Sequence, residues 1–121
     1  MRVLASALLL CLVSLGCSRS GSAPLDTSLA RSSLVRGLDA WRSGQPATTL
    51  RQGDPEIIVV DFEWEQGAKL LGFELTQTER SDGRNFYVDV DLVLATRQGK
   101  RIKQTVGYVV GTSPVVTVAR Q

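Results

Sequence analysis

The chain has 121 residues, with 14 Lys and Arg against 12 Asp and Glu, 43% hydrophobic residues and no histidine. A charge balance this even excludes the basic footprint of a nucleic-acid binder, and the lack of histidine excludes His-dependent triads and the commonest general base and metal ligand. The hydrophobic share argues for a packed core rather than disorder, and the length allows one small domain.

Arg2 supplies one positive charge, and Val3–Leu15 is apolar apart from Ser6 and Ser14. This run is too short to span a bilayer as a stable helix but suits the apolar part of a secretory signal. Ser14-Leu15-Gly16-Cys17 follows. It resembles the lipobox of bacterial lipoproteins, in which the cysteine is lipidated and becomes the first mature residue, although Ser14 stands where Leu is usual. The resemblance implies a signal peptide over 1–16, acylation (palmitate) of Cys17, and a lipid-anchored place in the cell envelope, facing outward from the cytoplasmic membrane. Ser18, in place of Asp, resembles the group sorted to the outer membrane of a two-membrane cell. The alternatives are a retained anchor, or cleavage after Gly21-Ser22-Ala23 to give a secreted protein, a site hindered by Pro24. With Cys11 removed in the signal and Cys17 lipidated, no thiol is left for a disulfide, and packing alone must hold the fold.

Residues 17–25, rich in Ser and Gly, read as a flexible tether, and 26–121 as a single domain of roughly 95 residues. Asp26-Thr27-Ser28 offers N-cap residues and Gly44 a C-cap. Between them Leu34, Leu38 and Trp41 recur at i, i+4 and i+7, one stripe of a helix. Gly37 beside that stripe predicts close approach of the helix to a sheet. Pro46–Gln52 reads as a short second helix closed by Gly53-Asp54-Pro55.

Ile57–Trp64 reads as a strand, buried at its start. Leu70–Arg80 is the next, with Leu71, Phe73 and Leu75 on one face. An Asp82-Gly83 hairpin loop pairs Leu75 with Val90, Phe73 with Leu92 and Leu71 with Leu94. The central strand is Asn85–Thr96: Phe86, Val88, Val90, Leu92 and Leu94 alternate with Tyr87, Asp89, Asp91, Val93 and Ala95. A loop at Gln98-Gly99-Lys100 pairs Leu92 with Val106, Val90 with Tyr108 and Val88 with Val110. A turn at Thr112-Ser113 sets Val110 opposite Val115 and Tyr108 opposite Thr117. The expected fold is α+β, an N-terminal helix packed on a curved antiparallel meander of four to five strands. This order of elements over Asp26–Gln121 resembles the cystatin-like and nuclear transport factor two-like cone folds. The stretch Thr105–Arg120, with Tyr-Val-Val-Gly-Thr before a proline and a Thr-Val strand, resembles small bacterial lipoproteins of unknown function. Neither likeness supplies a catalytic motif that matches positions here.

Four places are candidates for function. Glu74, Asp89 and Asp91 form an acidic cluster on the outer sheet face, with Glu74 directly opposite Asp91; the plainer reading is a solvated face, and no calcium-loop motif or other metal site is present in the sequence. Val93, Val109, Val116 and Val118 share that face, with a gap at Gly107 beside Asp91, and suggest a homodimer surface. Trp41, Phe73, Leu92 and Tyr108 would line a pocket if the cone holds a cavity, and are otherwise core. The basic loop of Arg97, Lys100, Arg101 and Lys103 could meet anionic head groups near the anchor. The sequence thus points to a membrane-tethered, non-catalytic binding or assembly module without a cofactor, whose partner is an envelope protein or small ligand. Alternatives are a small cone-fold enzyme (isomerase or dehydratase type) with Asp89 or Asp91 as base and Tyr108 as donor, and a structural lipoprotein that dimerises through its sheet face.

Overall fold

A computed structural model of the protein describes residues 23–121, so the expected signal peptide, Cys17 and most of the expected tether lie outside the described residues. Helix α1 spans Thr27–Arg42, and a 3-10 helix covers Ala47–Gln52. Strand β1 (Ile57–Val60) leads into a single-turn helix α2 (Phe62–Glu65). Strands β2 (Lys69–Leu75), β3 (Arg80–Ser81), β4 (Asn85–Ala95), β5 (Arg101–Gly111) and β6 (Val116–Arg120) complete the chain. Together they form an α+β domain in which α1 packs across a strongly curled sheet. Among the described residues no helix is long and apolar enough to cross a membrane.

Alternation along β4 places the sheet. Phe86, Val88, Val90, Leu92 and Leu94 are each at most 2% exposed, while their neighbours face outward. Burying a side chain of this size contributes about 1.5–3 kcal/mol. Leu34, Leu38 and Trp41 of α1 are buried as their spacing requires, together with Ala30 and Gly37. Asp26 caps the helix by accepting from the Leu29 amide at 2.9 Å, and Gly44 closes the other end by donating to the Trp41 carbonyl. Gly37 faces the 3-10 helix rather than the sheet: a Cβ there would first meet the Leu50 side chain, at 3.8 Å.

The sheet is mixed, not purely antiparallel. Its order is β1-β6-β5-β4-β2, with β3 beside β4, and β1 runs parallel to β6. The unbroken apolar run Ile57–Val60 fits such a strand, since parallel strands carry continuous rather than alternating apolar residues. β1 also stops at Val60 instead of continuing to Trp64, because Asp61 turns the chain into α2 by capping it.

Three registers differ from the sequence-based expectation. In β2, the pairs Leu75–Val90 and Phe73–Leu92 form as expected, but a bulge between Leu70 and Gly72 puts Leu70 opposite Leu94. Leu71 is pushed out to 43% exposure and Leu70 falls to 2%. The strand read as Leu70–Arg80 breaks at Thr76–Glu79, where hydroxyls stand in for the ladder: Thr76 Oγ1 donates to the Asp89 carbonyl, and the Asp89 amide donates to Thr78 Oγ1. β3 then pairs Ser81 with Phe86, and Gly83, at φ +87°, takes the turn position that favours glycine. Between β4 and β5 the pairing is Val88–Tyr108 and Val90–Val106, two residues from the expected one. An even shift keeps every side chain on its face.

The β5–β6 shift is three residues, pairing Val110 with Val118 and Tyr108 with Arg120. An odd shift exchanges the faces. Val116 and Val118 therefore leave the outer face and enter the core, at 3% and 2% exposure, and Arg120 turns inward with them.

Residues 23–25, expected to belong to a flexible tether, are hydrogen-bonded to the domain. The Ala23 amide donates to Ser113 Oγ, the Leu25 amide to the Gly83 carbonyl and the Asp26 amide to Thr112 Oγ1. Residues 23–25 are thus fastened across the two turns at the end of the sheet beside the start of α1.

Candidate functional site

Two places bring functional side chains together. The first is internal. Asp61 follows β1 and is 2% exposed. Its Oδ1 accepts from the Glu63 and Trp64 amides at 3.1 and 3.4 Å and from Arg120 Nε at 2.9 Å. Its Oδ2 accepts from the Tyr108 hydroxyl at 2.5 Å. Arg120 also donates through Nη1 to Gln104 Oε1 at 3.1 Å, and its guanidinium lies 5.0 Å from the centre of the Phe62 ring. Its Nη2 is buried and has no hydrogen-bond partner among the described residues. Burial, and after it the charge on Asp61, pushes the Tyr108 hydroxyl far above the ordinary tyrosine range. It remains a protonated donor at neutral pH. Both oxygens of Asp61 are engaged and the carboxylate is enclosed, so the group acts as a staple joining β1 and α2 to β5 and β6 rather than as an open acid/base centre.

The second place is a groove of about 560 Å³ at the C-terminal end of α1. Trp41, Pro46, Val59 and Trp64 give it apolar walls, and Arg51 and Lys69 stand on its rim. The two indoles stack with centroids 5.4 Å apart and planes 7° from parallel. Each ring N–H is already satisfied by a backbone carbonyl: Trp41 Nε1 donates to Ala68 at 2.8 Å and Trp64 Nε1 to Gln45 at 3.0 Å. Those bonds tie α2 and the start of β2 to the segment that leaves α1. The groove is therefore preformed and of a size that takes a small ligand or a peptide side chain, and Thr48, Arg51, Glu65 and Lys69, whose side chains make no hydrogen bond among the described residues, supply its polar groups.

The residues singled out from the sequence disperse. Trp41 lines the groove, whereas Phe73, Leu92 and Tyr108 belong to or pack against the core, Phe73 beneath the Arg42 guanidinium at 5.3 Å. They do not frame one pocket. Glu74 does face Asp91, as its register required, and Asp91 accepts from Thr105 Oγ1 at 2.6 Å. Asp89 lies beside Gly107, which pairs with it rather than with Asp91, and Gln121 occupies the space there: a Cβ on Gly107 would come within 3.1 Å of Gln121 Oε1. Among the described residues no three carboxylates or thiols are grouped to hold a metal ion. Of the four valines, Val93 and Val109 are half-buried on the outer face, and Val116 and Val118 are core. The basic turn after β4 stands at the end of the sheet opposite to the fastened tether, because β4 runs eleven residues, about 36 Å, from one to the other.

Sequence reasoning passed over Asp61, Arg120 and Gln104. A signal for Asp61 is present: an aspartate before Phe62-Glu63-Trp64-Glu65, with acids in the first turn, has the form of a helix N-cap. Arg120 follows Val116 and Val118 at period two, which marks the same face once that face is known. No protein-family model, curated protein or solved structure matches the chain.

Proposed function

We propose that the protein is a membrane-tethered, non-catalytic binding module of the bacterial cell envelope, anchored by lipid on Cys17, with the groove beneath Trp41 and Trp64 as its binding site. The observation that carries this reading is the groove itself: about 560 Å³, apolar-walled, with its indole N–H groups already spent on the backbone. The finer fold reading, a cystatin-like cone, belongs to the same proposal and draws support from the single long helix laid across a curled sheet.

A small enzyme with an aspartate base and a tyrosine donor is the second reading, and the Asp61–Tyr108 contact is the observation in its favour. The aspartate would be Asp61, since Asp89 and Asp91 lie on the other face of the sheet. Its enclosure by Arg120 and Phe62 counts against it. A dimerising structural lipoprotein is weakened in turn, because only Val93 and Val109 of its proposed face stay outside.

The test is a photo-activated cross-linker at Thr48, an exposed position on the groove, in the full chain expressed in its native bacterium. A discrete adduct from Thr48, absent from a cross-linker at exposed Pro114 on the opposite end, supports the reading. No adduct at Thr48, or the same adducts from both sites, refutes the groove. Fractionation of Cys17→Ala tests the anchor separately: the chain must leave the membrane fraction.

A further inference from the structure

Residues 23–121 carry as many cations as carboxylates, yet the charges are not evenly spread. Lys69 on β2 pairs with Ala95 on β4, and Ala95 with Arg101 on β5, so two cations flank an alanine in one row across three strands. They lie roughly 10 Å apart, two strand spacings. Lys103 follows on the same face, opposite Val93. Arg97 and Lys100 sit in the turn between those strands, and Arg97 packs beside Gly67 at the start of β2. Arg51 shares the groove with Lys69. Against these six stand Glu63 and Glu65 on α2 and, in the next outer-face row beyond Lys103, the opposed pair Glu74 and Asp91, which leaves an excess of about two positive charges, concentrated in the turn and the Lys69–Arg101 row.

None of these six cations makes a side-chain hydrogen bond, an ion pair or a ring contact among the described residues. Elsewhere the arginines are engaged: Arg31 with Glu79, Arg42 with Asp39, Arg80 over Tyr87 and Arg120 with Asp61. Arg36 donates to the Pro55 carbonyl at 3.5 Å, and Arg84 is the remaining arginine whose side chain has no partner among the described residues. The free cations are thus gathered at the end farthest from the fastened tether, and Leu71, extruded by the β2 bulge and 43% exposed, stands beside Lys69.

We propose that this end of the domain docks on the surface of an anionic phospholipid bilayer. The cations are spread over a sheet face and a turn rather than converging in a cleft, and their long side chains are not held in a fixed geometry. A plane of phosphate groups satisfies such an arrangement, and an exposed leucine among the cations suits the head-group boundary. An acidic protein segment would call for a groove with preset partners, which this face lacks. If the opposite end is anchored through Cys17, as proposed above, docking here either joins two bilayers or lays the domain flat on one. That consequence rests on the anchor; the docking does not.

The test uses the full chain held by its N-terminal segment in neutral phosphatidylcholine vesicles, a hold checked first by co-flotation so that its failure is told apart from failure to dock, and mixed with labelled vesicles rich in phosphatidylglycerol. The expected result is clustering of the labelled vesicles that weakens with added salt. Each cation at an anionic surface is worth about a fivefold change in partitioning. Lys100→Glu with Arg101→Glu and Lys103→Glu should therefore raise the lipid needed by at least about a hundredfold. None of the three lines the groove, so failure here leaves the groove reading standing. The neutral set Lys100→Gln, Arg101→Gln and Lys103→Gln, which keeps the fold if charge reversal does not, should give an intermediate loss. No clustering by wild-type chain that floats with the neutral vesicles, equal clustering of neutral and anionic vesicles, or no loss in the glutamine set overturns the proposal. So does binding of poly-glutamate that the same variants abolish and anionic vesicles fail to displace, which would assign the face to an acidic protein.

Discussion

The internal staple makes the sharpest energetic prediction. Asp61→Ala removes the counter-charge of Arg120, whose side chain is 5% exposed, and leaves a buried guanidinium unpaired. Breaking one partner of such a pair costs about 3–5 kcal/mol. The change also removes the cap of α2, worth about 1 kcal/mol, and strands the buried Tyr108 hydroxyl, worth about 1–3 kcal/mol. These terms overlap, so the expected loss is at least about 4 kcal/mol, a large part of the 5–15 kcal/mol that holds a domain together. Arg120→Met leaves Asp61 with Tyr108 and two amides and should cost less. The double variant should be more stable than the sum of the single effects by at least about 2 kcal/mol, because the stranded charge is gone. Urea unfolding followed by tryptophan fluorescence measures this, since Trp64 sits in α2 directly after Asp61. Asp61→Asn, which keeps the shape, serves if the alanine variant does not fold. Additive losses, or an Asp61→Asn loss below about 1 kcal/mol, would refute the claim that the ion pair fastens β1 and α2 to the sheet.

Two further outcomes follow from the same geometry. Tyr108 ionises at a higher pH in the folded than in the unfolded chain, so stability is full below about pH 10 and falls above it by about 1.4 kcal/mol per pH unit; Tyr108→Phe should lose a roughly constant amount at neutral pH and lack that alkaline decline, and parallel curves for the two proteins would contradict the assigned burial. The β5–β6 register predicts that Val118→Asp, placing a charge at a 2% exposed position, costs more than about 4 kcal/mol, whereas Val109→Lys on the outer face stays within about 1 kcal/mol; equal effects in thermal unfolding would return Val118 to the outer face.

The parts of the fold that were legible are those whose signal is local. α1 and β4 each carry a single unambiguous period, 3.6 and 2, over enough residues to fix both element and buried face. Their neighbours were legible in face but not in exact pairing. In β2, Leu70 and Leu71 are equally apolar, and no count of hydrophobic residues says which one a bulge expels. Lys69 and the row to Arg101 follow from that bulge, so the extent of the basic end was hidden by the same ambiguity. The groove was hidden for another reason. Trp41 and Trp64 lie in separate elements, and only the turn made by α2, absent from a reading that ran β1 through to Trp64, brings them to a 5.4 Å stack.

β6 shows why the internal site could not be read from its own residues. Val115, Val116 and Val118 offer apolar side chains in both phases, so pattern alone leaves the face undecided. The phase that buries Val116 and Val118 also buries Arg120, which is unfavourable unless a carboxylate waits inside. That carboxylate is Asp61, 59 positions away and just past a strand whose parallel place beside β6 is itself undetermined locally. Each charge makes the other's burial tolerable, and neither can be placed inside alone. The even shift between β4 and β5 was harmless to face assignment, whereas the odd shift at β6 changed two dimer-face candidates into core and produced the Asp61–Tyr108–Arg120 staple. Parallel pairing of β1 and inward pointing of Arg120 are therefore one structural decision, and a variant that removes both charges should loosen the choice of register as well as the stability: in Asp61→Leu with Arg120→Met, amide hydrogen exchange across β1 and β6 should quicken even if the midpoint of unfolding is retained.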